Sequence, residues 1–291
     1  MRRNRFVRFV RGVLNAIRTA RGKLHSKLTV DYNGLALHYD TSSPIAKEWF
    51  YPRYLDGRNV HEPPIAQLIF ENLRPDSVFF DVGANLGFFS VLAANICNGR
   101  AGAVHSFEID PRLAPLIVRS LELNEEAGRA SVNCVGCGAP GMAFYEFAEH
   151  QQENPSTNQL MAASSSETGT ERRRKIRSQV PTVALDDYCR EMDVAPDLIK
   201  MDIEGAEALA ISGMKEILDK ERPTLLVEFH PQFIENRFES DTTELVRFIE
   251  EAGGYEAQVV DDYRKDREVT LVPFSQVRSK DGKPMVVLFR P

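Results

Sequence analysis

Long hydrophobic runs are missing from this 291-residue chain: arginines or acids interrupt every candidate before about 18 apolar positions accumulate, which excludes a membrane-spanning helix. Cysteine is scarce as well. Four cysteines are too few for a disulfide scaffold in a chain of this length, so a reducing compartment and a cytoplasmic, non-secreted protein are expected. No internal repeat is visible. What is present is ordinary globular composition, 43% hydrophobic and 27% charged, enough for a sizeable core in one large or two small domains.

Acidic residues are absent from positions 1–27, which carry nine Lys or Arg, so the rest of the chain bears a formal charge of −15 against −6 for the whole. An acidic body disfavours nucleic acid as a partner, because phosphate binding needs a concentrated positive face. Within 1–27, Phe6, Val10, Leu14 and Ile17 recur at three- and four-residue steps, which makes the arm a basic amphipathic helix. Peripheral membrane contact, partner docking, a transit peptide and a solvated helix capping the domain all share this texture.

Residues 28–74 read as an N-terminal extension: a hairpin turning at Asn33-Gly34, then helix interrupted by Pro63-Pro64. From Val78 the texture changes. Short apolar strands (78–82, 103–107, 131–135, 198–202, 224–229, 255–260, 285–289) alternate with helical segments, which predicts an α/β domain over 75–291 with a mostly parallel sheet and helices on both faces. Between 149 and 179 polar residues dominate, and a mobile loop closing over the site is expected there.

The strongest motif is the strand Val78-Phe-Phe-Asp-Val running into Gly83-Ala-Asn-Leu-Gly87 and then a helix. Such a loop brings backbone close to a ligand at the carboxyl edge of the sheet. A dinucleotide fingerprint places a second glycine where Asn85 stands, and Asp81 ahead of the loop repels a pyrophosphate and suits a cation. A nicotinamide-dependent oxidoreductase is therefore disfavoured. Glu108 ends the second strand 21 residues after Gly87, placed to accept both hydroxyls of a ribose. A ligand with a ribose, a cationic group and no phosphate fits both features, and S-adenosylmethionine is the common metabolite of that description.

A third strand runs into Lys200-Met-Asp-Ile-Glu-Gly-Ala-Glu207, and its order brings Asp202 towards the glycine loop. With Asp81-Val-Gly-Ala-Asn-Leu-Gly87, Thr182-Val-Ala-Leu-Asp-Asp-Tyr188 and Leu226-Val-Glu-Phe-His230, the chain resembles the FkbM family of S-adenosylmethionine-dependent methyltransferases over roughly 75–232. The resemblance implies a Rossmann-like class I methyltransferase fold with a seven-stranded sheet, and O-methylation of a hydroxyl on a sugar, glycoconjugate or secondary metabolite. It implies that Asp81, Gly83, Asn85 and Gly87 hold the methionine part, Glu108 the ribose, and Ile109 and Cys137 the adenine. Cys137-Gly138 departs from the Asp that many methyltransferases carry at the third strand end.

A hydroxyl nucleophile benefits from a base within hydrogen-bond reach. Asp202, Glu204, Glu228 and His230, at or just after neighbouring strand ends, are the candidates, with cofactor or substrate contact expected of Asp202. Glu204 and Glu207 also suit the first turn of a helix, which favours acids. Asp202 and Glu228 are two carboxylates without a clear third ligand, so no metal is assigned. Cys134-Val-Gly-Cys137 has no second pair and reads as packing. Trp49-Phe50-Tyr51 and Tyr54 read as packing or as a wall over the acceptor, and Arg172-Arg-Arg-Lys175 as a solvated charge run. The alternative from another class is a non-catalytic adapter that keeps the fold and works through its basic arm at a membrane or partner.

Overall fold

The structure, a computed structural model, describes residues 26–54, 60–149, 159–161, 176–238, 240–264, 268–277 and 282–291. Nearly all of the basic arm and the Arg172–Lys175 run lie outside them. None of the described helices is long and apolar enough to cross a membrane.

The chain enters through a hairpin, β1 (Lys27–Tyr32) and β2 (Leu35–Asp40), whose turn residues Asn33 and Gly34 both have positive φ, 50° and 82°. That pair of left-handed residues matches the twist of the flanking strands, and Asn-Gly adopts it at little cost. Helices α1 (Pro44–Tyr54) and α2 (Pro63–Asn72) follow. Then come β3 (Val78–Val82), α3 (Phe88–Ile96), β4 (Ala103–Phe107), α4 (Ala114–Leu123), β5 (Ala130–Asn133), β6 (Gly136–Cys137), β7 (Phe144–Glu149), β8 (Gln159–Met161) and β9 (Ile176–Val183). The chain closes with α5 (Leu185–Met192), β10 (Leu198–Met201), α6 (Glu207–Ser212), β11 (Thr224–Phe229), α7 (Pro231–Phe238), α8 (Thr242–Gly253), β12 (Glu256–Val260), β13 (Leu271–Pro273) and β14 (Met285–Arg290).

The main sheet has the order β5-β4-β3-β10-β11-β14-β12-β13. Strands β3, β4, β5, β10 and β11 are parallel to their neighbours among themselves, and β14 runs antiparallel between β11 and β12. Seven of the eight strands are those expected. The eighth, β13, is a three-residue edge strand ending in Pro273, a residue whose missing N–H suits an edge.

Alternation along each strand divides the core between the two faces. Phe79, Leu198, Leu226 and Leu288 pack with Val30, Tyr39, Phe50, Ile69, Val91 and Ile117 on one side. Phe80, Ile199, Val227 and Phe289 pack with Leu185, Ile211, Ile234 and Ile249 on the other. Each fully buried Phe or Leu contributes about 1.5–3 kcal/mol, so a one-residue register slip would be prohibitive.

The N-terminal hairpin shares the first of these cores. Asn124 receives a hydrogen bond from the His38 amide (3.0 Å) and donates one to the His38 carbonyl (2.7 Å), which imitates a strand partner for β2. Tyr39 is stacked between Phe50 and Phe88 at centroid distances of 4.9 and 5.4 Å. Trp49 and Phe50 are buried packing residues.

A second sheet, β6-β9-β7-β8, departs from the loop expected over 149–179. Strand β9 pairs antiparallel with β7 from Phe144↔Pro181 to Glu149↔Ile176, and β8 pairs with β7. Polar composition concealed these strands because backbone pairing supports them without an apolar run. Cys137 also lies elsewhere than expected: the third main-sheet strand ends at Asn133, and Cys137 belongs to β6, opposite Val183 of β9. The four cysteines are free thiols.

Candidate active site

The order of the sheet reverses between β3 and β10: from β3 the chain steps outward to β4 and β5, then returns to β10 and β11 on the other side. Carboxyl ends of strands that diverge in this way leave a crevice between their following loops, the usual ligand position in an open α/β sheet. Asp81, the glycine loop, Glu108, Asp202, Glu204, Glu228 and His230 all lie at or just beyond those ends.

On the β3–β4 side the glycine loop is tied down by its backbone. Gly83 and Ala84 donate to the Phe107 carbonyl at 2.9 and 3.0 Å. Gly83 has φ +82°, and a Cβ built on it would stand 1.9 Å from the Asp202 carbonyl oxygen, so only glycine lets the loop close against β10. Asn85 occupies the left-handed region (φ 53°), which its short polar side chain tolerates, and its amide donates to Glu108 Oε2 at 2.7 Å. The Asp110 amide donates to Glu108 Oε1 at 2.8 Å, so both carboxylate oxygens are held by backbone. Burial pushes the Glu108 carboxyl up to about 7 against the pull of those two donors. Asp81 is fully buried, and its Oδ2 accepts from Ser90 (2.6 Å), which in turn accepts from Ser106 (2.8 Å). Burial raises the Asp81 carboxyl above its ordinary range, opposed by the Lys200 ammonium.

Three buried acceptor oxygens around this loop have no donor among the described residues: Asp81 Oδ1, Asn85 Oδ1 and Asp202 Oδ1. An orphaned buried acceptor costs about 1–3 kcal/mol, and a ligand bringing several N–H groups and a positive charge would satisfy such a set. The residues present therefore fit the methionine ammonium of S-adenosylmethionine. Ile109 is half-buried beside Ile203, Val180 and Ala206. Cys137 is buried with Phe107, Leu185 and Tyr188.

On the β10–β11 side acids crowd around one imidazole. His230 Nδ1 donates to Glu207 Oε1 (3.2 Å), while Nε2 faces Glu204 Oε2 at 3.5 Å, Glu228 Oε1 at 3.7 Å and Asp202 Oδ1 at 4.0 Å. Burial alone favours the neutral ring, but the hydrogen bond and charge of Glu207, with Asp202 and Glu204, overcome it and raise His230 to about 9. Burial, reinforced by Asp202, raises Glu204 to about 7, and the same causes raise Glu228. Glu228 Oε1 accepts from the Tyr263 hydroxyl and from Arg264 Nη2, both at 2.5 Å.

Four contributors were not singled out from the sequence. Lys200, buried in the middle of β10, lies opposite Asp81 in the parallel ladder and puts its ammonium 3.6 Å from Asp202 Oδ2 and 5.2 Å from the centre of the Phe89 ring. Burial disfavours its charge, yet Asp202, Asp81, Glu62 and Glu228 keep its pKa above the ordinary value. A lysine inside a buried strand was itself a signal, since such a charge needs acid partners. Glu62, just ahead of α2, has φ 45° and is raised to about 8 by burial and by Glu228 and Asp202. It comes from the N-terminal extension, and nothing local in the sequence marks it. Tyr263 and Arg264 arrive from beyond β12 in the same unmarked way.

No curated protein matches the sequence. Among solved structures the chain is similar to an FkbM methyltransferase from Methylobacillus flagellatus KT, at 18% identity and a TM-score of 0.46 over 75% of this chain and 44% of that one. This chain thus spans less than half of that protein's length. It is also similar to an S-adenosylmethionine-dependent O-methyltransferase from Thermotoga maritima, at 10% identity and a TM-score of 0.39 over 90% of this chain and 77% of that one. A third likeness, at 11% identity and a TM-score of 0.41 over 78% of this chain and 96% of the other, is to a Streptococcus mutans protein described as a methyltransferase, in complex with SAH. The family model for the methyltransferase FkbM domain matches residues 81–256, more than half of the sequence, from the first acid of the glycine-loop motif past the acid cluster into β12. With this match added to the strand order and the crevice, the chain belongs to the FkbM methyltransferase family.

Proposed function

We propose that this chain transfers a methyl group from S-adenosylmethionine to a hydroxyl oxygen of a sugar, glycoconjugate or secondary metabolite. The observation that carries the reading is the set of donor-less acceptors, Asp81 Oδ1, Asn85 Oδ1 and Asp202 Oδ1, beside a glutamate pinned by two backbone amides. Asp81, Asn85 and Asp202 would hold the methionine end, and Glu108 the ribose hydroxyls through its remaining lone pairs. The cofactor, when bound, supplies a methyl on a sulfonium, a leaving group that needs no acid assistance.

The protein's share is placement and proton handling. Holding an acceptor oxygen in line with the methyl supplies much of the rate. Glu204 is the base in this reading. It is 29% exposed in the crevice, makes no hydrogen bond among the described residues, and is positioned by His230 at 3.5 Å. Its carboxylate takes the hydroxyl proton as the oxygen attacks, and His230, oriented by Glu207, steadies it. Asp202 serves the cofactor side and Lys200 balances the charge between the halves.

Isothermal titration with S-adenosylmethionine and S-adenosylhomocysteine tests the cofactor, beside Glu108→Ala and Asp81→Asn variants whose folding is checked by thermal unfolding. Micromolar binding, weakened by both changes, supports the reading. Absence of binding to folded wild type overturns it and restores the adapter alternative. Transfer of labelled methyl to hydroxylated acceptors but not to amines then tests the oxygen specificity.

A further inference from the structure

We propose that Asp202, Glu228 and His230 form a divalent-cation site at the carboxyl ends of β10 and β11. The sequence offered two carboxylates; the fold adds an imidazole. One ligand atom from each of the three lies within 4.8 Å of the other two. His230 Nε2 stands 3.7 Å from Glu228 Oε1 and 4.0 Å from Asp202 Oδ1. Ligand atoms gathered at about 2.0–2.2 Å around one ion lie roughly 3–4 Å apart, so closure requires only small side-chain rotations.

An independent feature points the same way. Glu207 is fully buried and accepts from His230 Nδ1, which leaves Nε2 facing Glu204, Glu228 and Asp202. A buried carboxylate on the far nitrogen is the usual outer partner of a ligating histidine, since it fixes the ring and raises its donor strength. The other Glu207 oxygen, Oε2, has no hydrogen-bond partner among the described residues. Asp202 Oδ2 faces the Lys200 ammonium, whereas Oδ1 lacks a donor among the described residues and would turn to the ion when one is bound, leaving Asp81 Oδ1 and Asn85 Oδ1 to the methionine end. Glu228 Oε1 already accepts from Tyr263 and Arg264, so an ion would take this oxygen in exchange for the hydrogen bond of Arg264, whose side chain is 56% exposed.

Charge supports occupancy. Glu62, Asp202, Glu204, Glu207 and Glu228 converge here, and among the described residues the permanent side-chain cations facing them are Lys200 and Arg264. One imidazole with two carboxylates suits Mn2+ or Zn2+ better than Ca2+. Binding of the ion does not depend on the methyl-transfer reading. Its use does: beside the acceptor's entry it would orient a hydroxyl and ease loss of its proton to Glu204.

The test is equilibrium dialysis of the full-length chain against Mn2+, read by electron paramagnetic resonance, and against Zn2+, read by elemental analysis. One ion per chain is expected, lost in Asp202→Asn and His230→Ala and weakened about 10–100-fold in Glu207→Gln. Thermal unfolding checks each variant, and Asp202→Asn decides if His230→Ala does not fold. No ion on the wild type, or an ion retained in the folded variants, overturns the site. Titration with S-adenosylhomocysteine runs alongside. Cofactor binding without an ion sinks this site alone, and an ion without cofactor binding sinks the methyl-transfer reading alone.

Discussion

On the β3–β4 side of the crevice the polar groups come from one loop and a glutamate 21 residues further on, and backbone amides hold them in place. On the β10–β11 side they come from Glu62, the turn after β10, the end of β11, and Tyr263 with Arg264, and side chains hold one another. The first half is locally encoded and held by backbone, whereas the second is an assembly of remote segments. Lys200 links both halves, its ammonium 3.6 Å from Asp202 Oδ2 and its charge acting on Asp81 from the neighbouring strand.

Separate failure of the two halves is the sharpest test of this contrast. Glu204→Gln is expected to lower kcat about 10²–10⁴-fold, the usual worth of a general base, while leaving the Kd for S-adenosylhomocysteine within about threefold. Steady-state kinetics and titration on the same preparation check it, and a large loss of cofactor affinity would merge the halves. Gly83→Ala should do the reverse. Its new methyl collides with the Asp202 carbonyl and the residue keeps a left-handed backbone, so a loss of about 2–5 kcal/mol in denaturant unfolding is expected, with cofactor binding gone.

Glu108→Gln keeps the shape but not the charge, and should cost about 1.5–3 kcal/mol in S-adenosylhomocysteine binding by calorimetry. The pH dependence follows from the same residue. Burial raises the Glu108 carboxyl to about 7, so below that pH it is protonated and accepts poorly; affinity should fall as pH drops from 8 to 6, by up to about tenfold per unit. Glu108→Gln should flatten the profile, and a slope that survives would assign the titration to another group. The smallest effect is expected at the hairpin. Asn124→Ala removes the partner of both His38 backbone groups and should cost about 1 kcal/mol of thermal stability, with cofactor affinity unchanged.

Much of the frame was legible. Asn33-Gly34 specified the hairpin, and the apolar strands of four to six residues specified the sheet, because period-two burial and turn chemistry are local properties. The glycine loop was legible for the same reason: Gly83 and Asn85 sit where the backbone must turn left-handed, and Glu108 follows one strand later. Polar β8 and β9 were not legible, since their support is pairing with β7 rather than an apolar run. Cys137 lies away from the third strand end because β5 ends four residues earlier and the chain crosses to the second sheet.

By itself, then, the sequence determined the parallel α/β sheet, the glycine loop with its two acids, and the acids following β10. These rest on strand periodicity, backbone conformation and residue spacing within a few dozen positions. Only the tertiary structure decided that Glu62 and Arg264 reach the same acids, that Lys200 joins the two halves, and that Glu207 aims His230 at Asp202 and Glu228. Those contacts join residues up to about 200 positions apart, and sheet order, which no local pattern encodes, sets which of them meet.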